Sequence, residues 1–476
     1  MGLIQRLFPG PKLTAEVENL KKHIATLEQK AIPVRAPLDF VYNSVNNSFI
    51  SAPIFQDVKK YIDEGFNLNS TVYSIINTSS EKFSSIPWLL YRVKNNAKAL
   101  QYRAMTQAYN DSPEYLRKMM LLKNQAFDEI TDSDVMKVWD NPNTTQSGSE
   151  FRAAALMFKM LTGAAPIWGN MGGSGVKLQE IEVLPTQYIQ IYPNESLTGI
   201  ARMTYNITGA MIPLDLDNVL YWKYNNPNFD ITGQHLYGQA PLRAAQIEVS
   251  ADNENVLAQR FMFEHAGVAG LWTPKNINDA GTLSASPTLV SDLRETLSDV
   301  HNRNEPGTDS KPFANFPMDY TSYGMDSKEM DLVQSRRLSK EFIANIFNFP
   351  IPLLSSEAST YNNVDAAVKY LSTNTIYANL CSYRDRMANG WYLKKFKDSS
   401  KYFIDFDISM LPELQGDYQK MVDSLSKMDW LTMDEKREAT KYDAKGGAYD
   451  TAYIPSSMVP IELAGDMGDI PNNGTY

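Results

Sequence analysis

Residues 72–93 read "VYSIINTSSEKFSSIPWLLYRV", a helix that runs into a strand with no linker between them. Val72, Ile76 and Phe83 fall on one helical face, with the small residues Ser79 and Ser80 between them where another backbone can come close. Pro87 has no N–H for the next helical hydrogen bond, and its ring pushes Ile86 toward an extended conformation. The helix, 72–86, stops there, and Trp88, Tyr91 and Arg92 continue as a strand. Such a joint belongs to an α+β domain.

A chain of 476 residues with 43% hydrophobic and 11% aromatic content fills real cores and has room for two or three domains. It contains no apolar run long enough to span a bilayer, and "MGLIQRLFPGPK" is broken too early by proline for a secretory signal. The expectation is a protein that stays where it is made and has no membrane partner. A lone cysteine, Cys381, excludes internal disulfides and suits a reducing compartment, so the tripeptide "NST" at 69–71 carries no meaning as a glycosylation site. The formal charge of −10 and the scattered Lys and Arg argue against a basic face that grips nucleic acid.

Along the chain, Leu13, Val17, Leu20, Ile24 and Leu27 share one seam of a helix over 13–30, followed by a Pro- and Asn-rich connector at 31–56. A helical region at 97–127 leads to the turn "DNPNTTQSGSEF", where Ser149 is the expected cap of the helix "EFRAAALMFKMLTG", ended by Gly163. From 176 to 224 the period changes to two, and "EIEVLP", "YIQIYP", "ARMTYNI" and "NVLYWKY" predict one small antiparallel sheet.

Two long helices follow, at 241–266 and about 327–349, the first opened by Pro241 and closed by Gly267. Ser250 to Asn255, in the middle of the first, is almost wholly polar. Between the two lie mixed strands and the short helix "PTLVSDLRETLSDVHNR", so the pair reads as a stalk with a small tip. "FPIPLLSSEASTYNN" then makes a loop, a long helix spans 364–396, "FIDFDISML" is a strand, and Thr432 with Glu435 forms a capping box. The last 25 residues read as frayed.

Chemistry is scarce. His23, His235, His265 and His301 have no metal-ligand spacing, and "GNMGGSGVK" at 169–177 precedes a strand instead of opening a helix, so it is no phosphate cradle. Acidic pairs such as Asp215/Asp217 and Asp405/Asp407 suggest a divalent ion, but neither has a supporting His or third carboxylate nearby. No nucleophile motif occurs. The reading is of a non-enzyme with no catalytic residue, no cofactor and no metal.

The order of these parts resembles the portal (connector) proteins of tailed bacteriophages over about 70–445. The opening stretch, with Pro87, Leu89, Leu90, Tyr91 and Arg92, is similar to that family's early helix-to-strand signature. "WDNPN" at 139–143 and "LPTQYIQIYPN" at 184–194 resemble its turn and strand pair. "VLYWKYNNPNFDITGQHLYGQAPLRAA" at 219–245 resembles the approach to its first stem helix, through Gly238, Pro241 and Leu242. "FIANIFNFPIPLL" at 342–354 and "WLTMDEKREA" at 430–439 are similar to the end of its second stem helix and its C-terminal helix start. "YGQAP" departs from the family's more frequent "GxSP" at Gln239 and Ala240.

The resemblance implies an α+β portal fold that forms a ring, usually of twelve. Residues 1–59 would be an N-terminal helix and arm, 60–239 the first part of a wing, 240–267 and 325–349 the stem helices, and 268–324 an α/β clip. Residues 350–400 would carry the tunnel loop and the long wing helix, and 401–476 a helical crown and tail. The ring would sit at one capsid vertex of the virion, after assembly in the host cytoplasm. It would pass double-stranded DNA without sequence specificity and meet the terminase large subunit, head-tail adaptor proteins, the major capsid protein and a scaffold protein. The DNA-channel residues would be Leu353, Leu354, Ser355, Ser356, Glu357, Ala358, Ser359, Thr360 and Tyr361. The stem and subunit interface would use Arg243, Glu248, Asp252, Glu254, Arg260, Arg336, Arg337 and Lys340, and the polar middle of the first stem helix would be a wall facing water and neighbouring subunits. The alternatives are another oligomeric virion component, such as an adaptor or minor capsid protein, and a metal-dependent nucleic-acid enzyme using the carboxylates at 405–407.

Overall fold

The computed structural model describes residues 58–450 apart from 132, 173–177, 208–209, 231, 265–269, 275–317, 323–331, 355–360, 397–398, 429–430, 441 and 443. The expected helix at 13–30, the connector, most of the clip and the frayed tail lie outside the described residues.

The opening stretch forms α1 (Ser70–Ser84) and β1 (Trp88–Val93). Asn69 caps α1, its side chain accepting from the N–H groups of Thr71 and Val72. Val72, Ile76, Phe83, Ser79 and Ser80 are all buried, so the helix turns its whole small-and-apolar face inward. Residues 97–127, expected as one helical region, divide into α2 (Asn96–Met105) and α3 (Pro113–Ala126), capped by Asn95 and Ser112, and are followed by β2 (Phe127–Ile130). After α4 (Asp134–Asp140) comes α5 (Gly148–Thr162), whose cap is Ser147 instead of Ser149. The reason is reciprocity: Ser147 accepts from the Glu150 N–H while the Glu150 carboxylate accepts from the Ser147 N–H.

The single sheet expected at 176–224 is two sheets. In one, β3 (Ala164–Asn170) lies between β4 (Glu180–Val183) and β8 (Val219–Lys223). In the other, β6 (Ile200–Ile207) lies between β5 (Ile189–Pro193) and β7 (Ala210–Leu214). β3 has no alternation because its strand is buried on both faces, which hides it from a period-two search.

The first long helix is interrupted: α6 (Pro241–Ala244) and α7 (Gln246–Glu264) meet at Ala245, whose ψ of 5° departs from helix. Strands β9 (Gly270–Pro274) and β10 (Met318–Ser322) pair antiparallel beyond it, and α8 (Leu332–Ile346) returns beside α7. The long helix expected at 364–396 begins at Tyr361 as α9 (Tyr361–Tyr370). It continues through a wide π-type stretch (Leu371–Ile376), α10 (Tyr377–Tyr383) and a second wide stretch (Arg384–Tyr392). β11 (Tyr402–Phe406), α11 (Pro412–Ser426) and α12 (Met433–Ala439) follow.

β1 is the centre of a three-stranded sheet, β11-β1-β2, with Trp88 opposite Phe406 and Leu90 opposite both Ile404 and Ile130. A strand placed from sequence in the C-terminal crown thus shares a sheet with the opening stretch. Phe83 and Trp88, on either side of Pro87, each lie 5.5 Å from the ring of Tyr383, and Trp222 lies 5.0 Å from it. The abrupt helix-to-strand joint delivers both aromatic side chains into one core around the long helix. A second core joins Leu116, Met120 and Phe127 to Phe403, Met421 and Leu425, fixing α11 and α12 on α3.

Candidate functional site at the root of the paired helices

α7 and α8 run antiparallel, since Asp252 faces Arg336 while Asn255 faces Ser335. Among the described side chains, their buried apolar packing lies toward the start of α7 and the end of α8, at Val249, Ile343 and Ala344. Ile247 (81% exposed), Val333 (78%) and Phe342 (55%) instead present apolar surface to solvent in the single chain.

The polar middle of α7 does not all face water. Asp252 is 1% exposed: its Oδ2 accepts from Asn69 Nδ2 at 2.9 Å, and its Oδ1 lies 3.4 Å from Arg336 Nε. Asn253 accepts from the same Asn69 amide at 3.0 Å and donates to the Glu64 carbonyl at 2.9 Å. This corrects the expectation of a water-facing wall for Asp252, which binds its own chain because the capping asparagine of α1 has an amide to spare once its oxygen holds the helix N-terminus. Glu254 and Arg260 are exposed. Glu248 and Lys340 are half-buried, and Arg337 is exposed beside Glu341 at 3.4 Å. Arg243 is exposed at the rim of a cavity of about 60 Å³ that Tyr61, Tyr221 and Tyr237 also line.

At the C-terminal end of α8 the chain turns sharply. Asn348 has φ 52°, the left-handed conformation, and the N–H groups of Asn348 and Phe349 donate to the carbonyls of Asn345 and Ala344. Tyr370 OH donates to Asn348 Oδ1 at 2.7 Å and Thr375 Oγ1 to the Asn348 carbonyl at 2.6 Å. Leu353 and Leu354 follow in a 3₁₀ turn, partly buried against the main core. Tyr361 starts α9, while Ser355, Ser356, Glu357, Ala358, Ser359 and Thr360 lie outside the described residues.

Sequence reasoning missed Asn69 and Asn348. The first had the signal of a cap residue just before an apolar-periodic run, and the second that of asparagine two residues before a proline at a helix end.

The acidic pairs do other work. Asp405 is buried, accepting from Tyr102 OH at 2.6 Å, with Arg384 Nη1 at 3.5 Å and Lys123 Nζ at 3.8 Å. Burial and the Asp405 charge hold the Tyr102 hydroxyl well above its usual range. Asp407 instead caps a short turn through the Ser409 N–H, and Asp215 does the same through the Asp217 N–H. Among the described residues no group of three or more His, Cys, Asp or Glu could hold a metal ion, and no helix is long and apolar enough to cross a membrane. His235 stacks on Phe229 with ring centroids 4.4 Å apart.

Residues 70–440, well over half of the chain, match the family described as phage portal protein. The chain belongs to the phage portal protein family. It is accordingly a portal-type virion component with a mixed helix and strand portal fold. Among solved structures, the portal chain is similar to one described as the neck of an empty gene transfer agent (GTA) particle, with 16% identity and a TM-score of 0.57. That likeness covers 82% of this chain and 94% of the other. A second, from a virion of a native gene transfer agent particle, shows 17% identity and a TM-score of 0.57 over the same shares. At such identities the likeness concerns the fold. Among curated proteins, none matches the portal chain.

Proposed function

We propose that this portal protein assembles as a ring of twelve copies at one vertex of the capsid and forms the channel through which double-stranded DNA is packaged and ejected. The ring docks the terminase large subunit during packaging and head-tail adaptor proteins afterwards, and contacts the major capsid protein and a scaffold protein. It acts without catalysis. The observation that carries the reading is the helix pair α7 and α8, which leaves Ile247, Val333, Leu338 and Phe342 exposed in a chain of the portal family. Apolar rows of this kind on a soluble protein call for a covering partner, and in a closed ring that partner is the next copy.

In this reading α7 and α8 are the stem (240–267 and 325–349), 60–239 and 350–400 form the wing, 268–324 the clip and 401–476 the crown. Arg243, Glu254, Arg260 and Arg337 are placed on exposed faces that suit contacts between subunits. Residues 353–361 border the DNA. A net charge of −10 per subunit disfavours tight phosphate binding, so the duplex slides. Negative-stain microscopy with mass measurement of the purified protein tests this: a hollow ring of about twelve 53.7 kDa chains is expected, and a compact monomer at high concentration overturns it.

A further inference from the structure

Burial along α7 and α8 changes abruptly at one level. Among the described side chains of α7 only Val249 and Asp252 are buried, and among those of α8 only Ser339, Ile343 and Ala344. Past that level Val256, Leu257 and Val333 are 39%, 53% and 78% exposed, so the pair leaves the globular core where Asp252 faces Arg336. At that exit point one buried carboxylate touches three separate elements: its own helix, Arg336 of α8, and Asn69 at the start of α1. Asn253 adds a fourth tie, to the Glu64 carbonyl in the helical turn ahead of α1.

The chemistry of this arrangement is specific. A fully buried carboxylate needs compensating donors, and here they come from two neighbours that the chain could otherwise let move apart. Asn69 cannot be exchanged for another cap without consequence. Serine or aspartate would still accept from Thr71 and Val72, but neither has the amide protons that reach Asp252 and Asn253. Asp252 Oδ1 and Arg336 Nε form an ion pair but no hydrogen bond with any described residue, which makes this contact the weaker half of the tie.

We propose that Asp252 is a conformational latch: its contacts with Asn69 and Arg336 make α7, α8 and the N-terminus of α1 move as one body, and releasing them lets the helix pair tilt independently of the core. This goes beyond the channel reading and does not depend on the number of copies in the ring.

The test is amide hydrogen exchange on the full chain in its native assembly, for Asn69→Ser, Asp252→Asn and Arg336→Gln. Losing a hydrogen bond to a buried charge raises local opening about tenfold or more. The expected result is that increase at amides 249–256 and 333–339, with amides 88–93 of β1 unchanged. Unchanged exchange in 249–256 and 333–339 overturns the proposal, and so does an increase shared equally by β1, which would mark general destabilisation. Asn69→Ser keeps the helix cap, so it carries the test alone if Asp252→Asn does not fold.

Discussion

Arg384 Nη1 lies 3.5 Å from Asp405 Oδ1 with both residues essentially inaccessible to solvent, tying the long helix to the edge strand of the β11-β1-β2 sheet. Arg384 also donates to Thr106 Oγ1 at 2.9 Å, and burial is outweighed by Asp405 and Asp385 in holding the guanidinium charged. A buried ion pair of this kind contributes little against a hydrophobic substitute, but breaking one side is expensive. Asp405→Ala is therefore expected to lower unfolding stability by about 3–5 kcal/mol, because Arg384 is left charged in the core. Urea unfolding of the two proteins checks it.

Lys159 has a different predicament. It is 3% exposed, donates to Asn379 Oδ1 at 2.9 Å, and stands 4.0 Å from the centre of the Trp222 ring, with no carboxylate within ion-pair distance among the described residues. Burial, and secondarily repulsion from Arg386, lowers its ammonium to about 7. An unfolded lysine titrates near about 10.4, so between these values the unfolded chain holds the proton that the folded chain has released. Stability should be lowest below pH 7, where both states carry the charge, and rise with pH from about 7 toward 10. Lys159→Met is expected to flatten that part of the profile and to raise stability at pH 7, read from denaturant midpoints across the range.

At Asn348 the backbone conformation and the side chain make separate contributions. Asn348→Gly keeps the left-handed turn and loses only the acceptor for Tyr370, so its cost should stay within about 1 kcal/mol. Asn348→Val forces a β-branched residue to positive φ and should cost about 1–3 kcal/mol more. Equal midpoints for the two variants in chemical denaturation would show that the turn is relaxed.

Gly163 and Gly238 meet backbone to backbone. A Cβ on Gly238 would stand 2.0 Å from the Gly163 carbonyl oxygen, and one on Gly163, at φ 88°, 2.5 Å from Ala240 N. Gly238→Ala is expected to destabilise by about 1–3 kcal/mol or more and to displace the approach to α6. Thermal unfolding, and the exposure of Leu242 and Ala245 to solvent, would register it.

These positions show what could be read in advance. The Pro87 joint, the two long helices and the Gly238–Pro241 approach were legible because proline, glycine and apolar spacing act locally. The departure at Gln239 and Ala240 does no harm, since Ala240 is 3% exposed and Pro241 still opens α6. β2 and β3 escaped notice because one is only four residues long and the other is buried on both faces. The roles of Asp252 and Asp405 depend on partners 183 and 303 residues away, Asn69 and Tyr102, and no local pattern encodes such a distance. Asn69 itself sat in a tripeptide dismissed as a chance glycosylation match, although an asparagine before Ser-Thr-Val is equally a helix start.

The middle strand of the β11-β1-β2 sheet also constrains how the polypeptide is made. Its partner on one side, Tyr402–Phe406, is translated more than 300 residues after Trp88. Until then a nascent chain displays a hydrophobic ribbon with one open side for about half a minute at ordinary ribosome speeds, a target for chaperones and for mispairing between neighbouring polysomes. Slow, non-local closure of this kind favours finishing each subunit before any two of them meet.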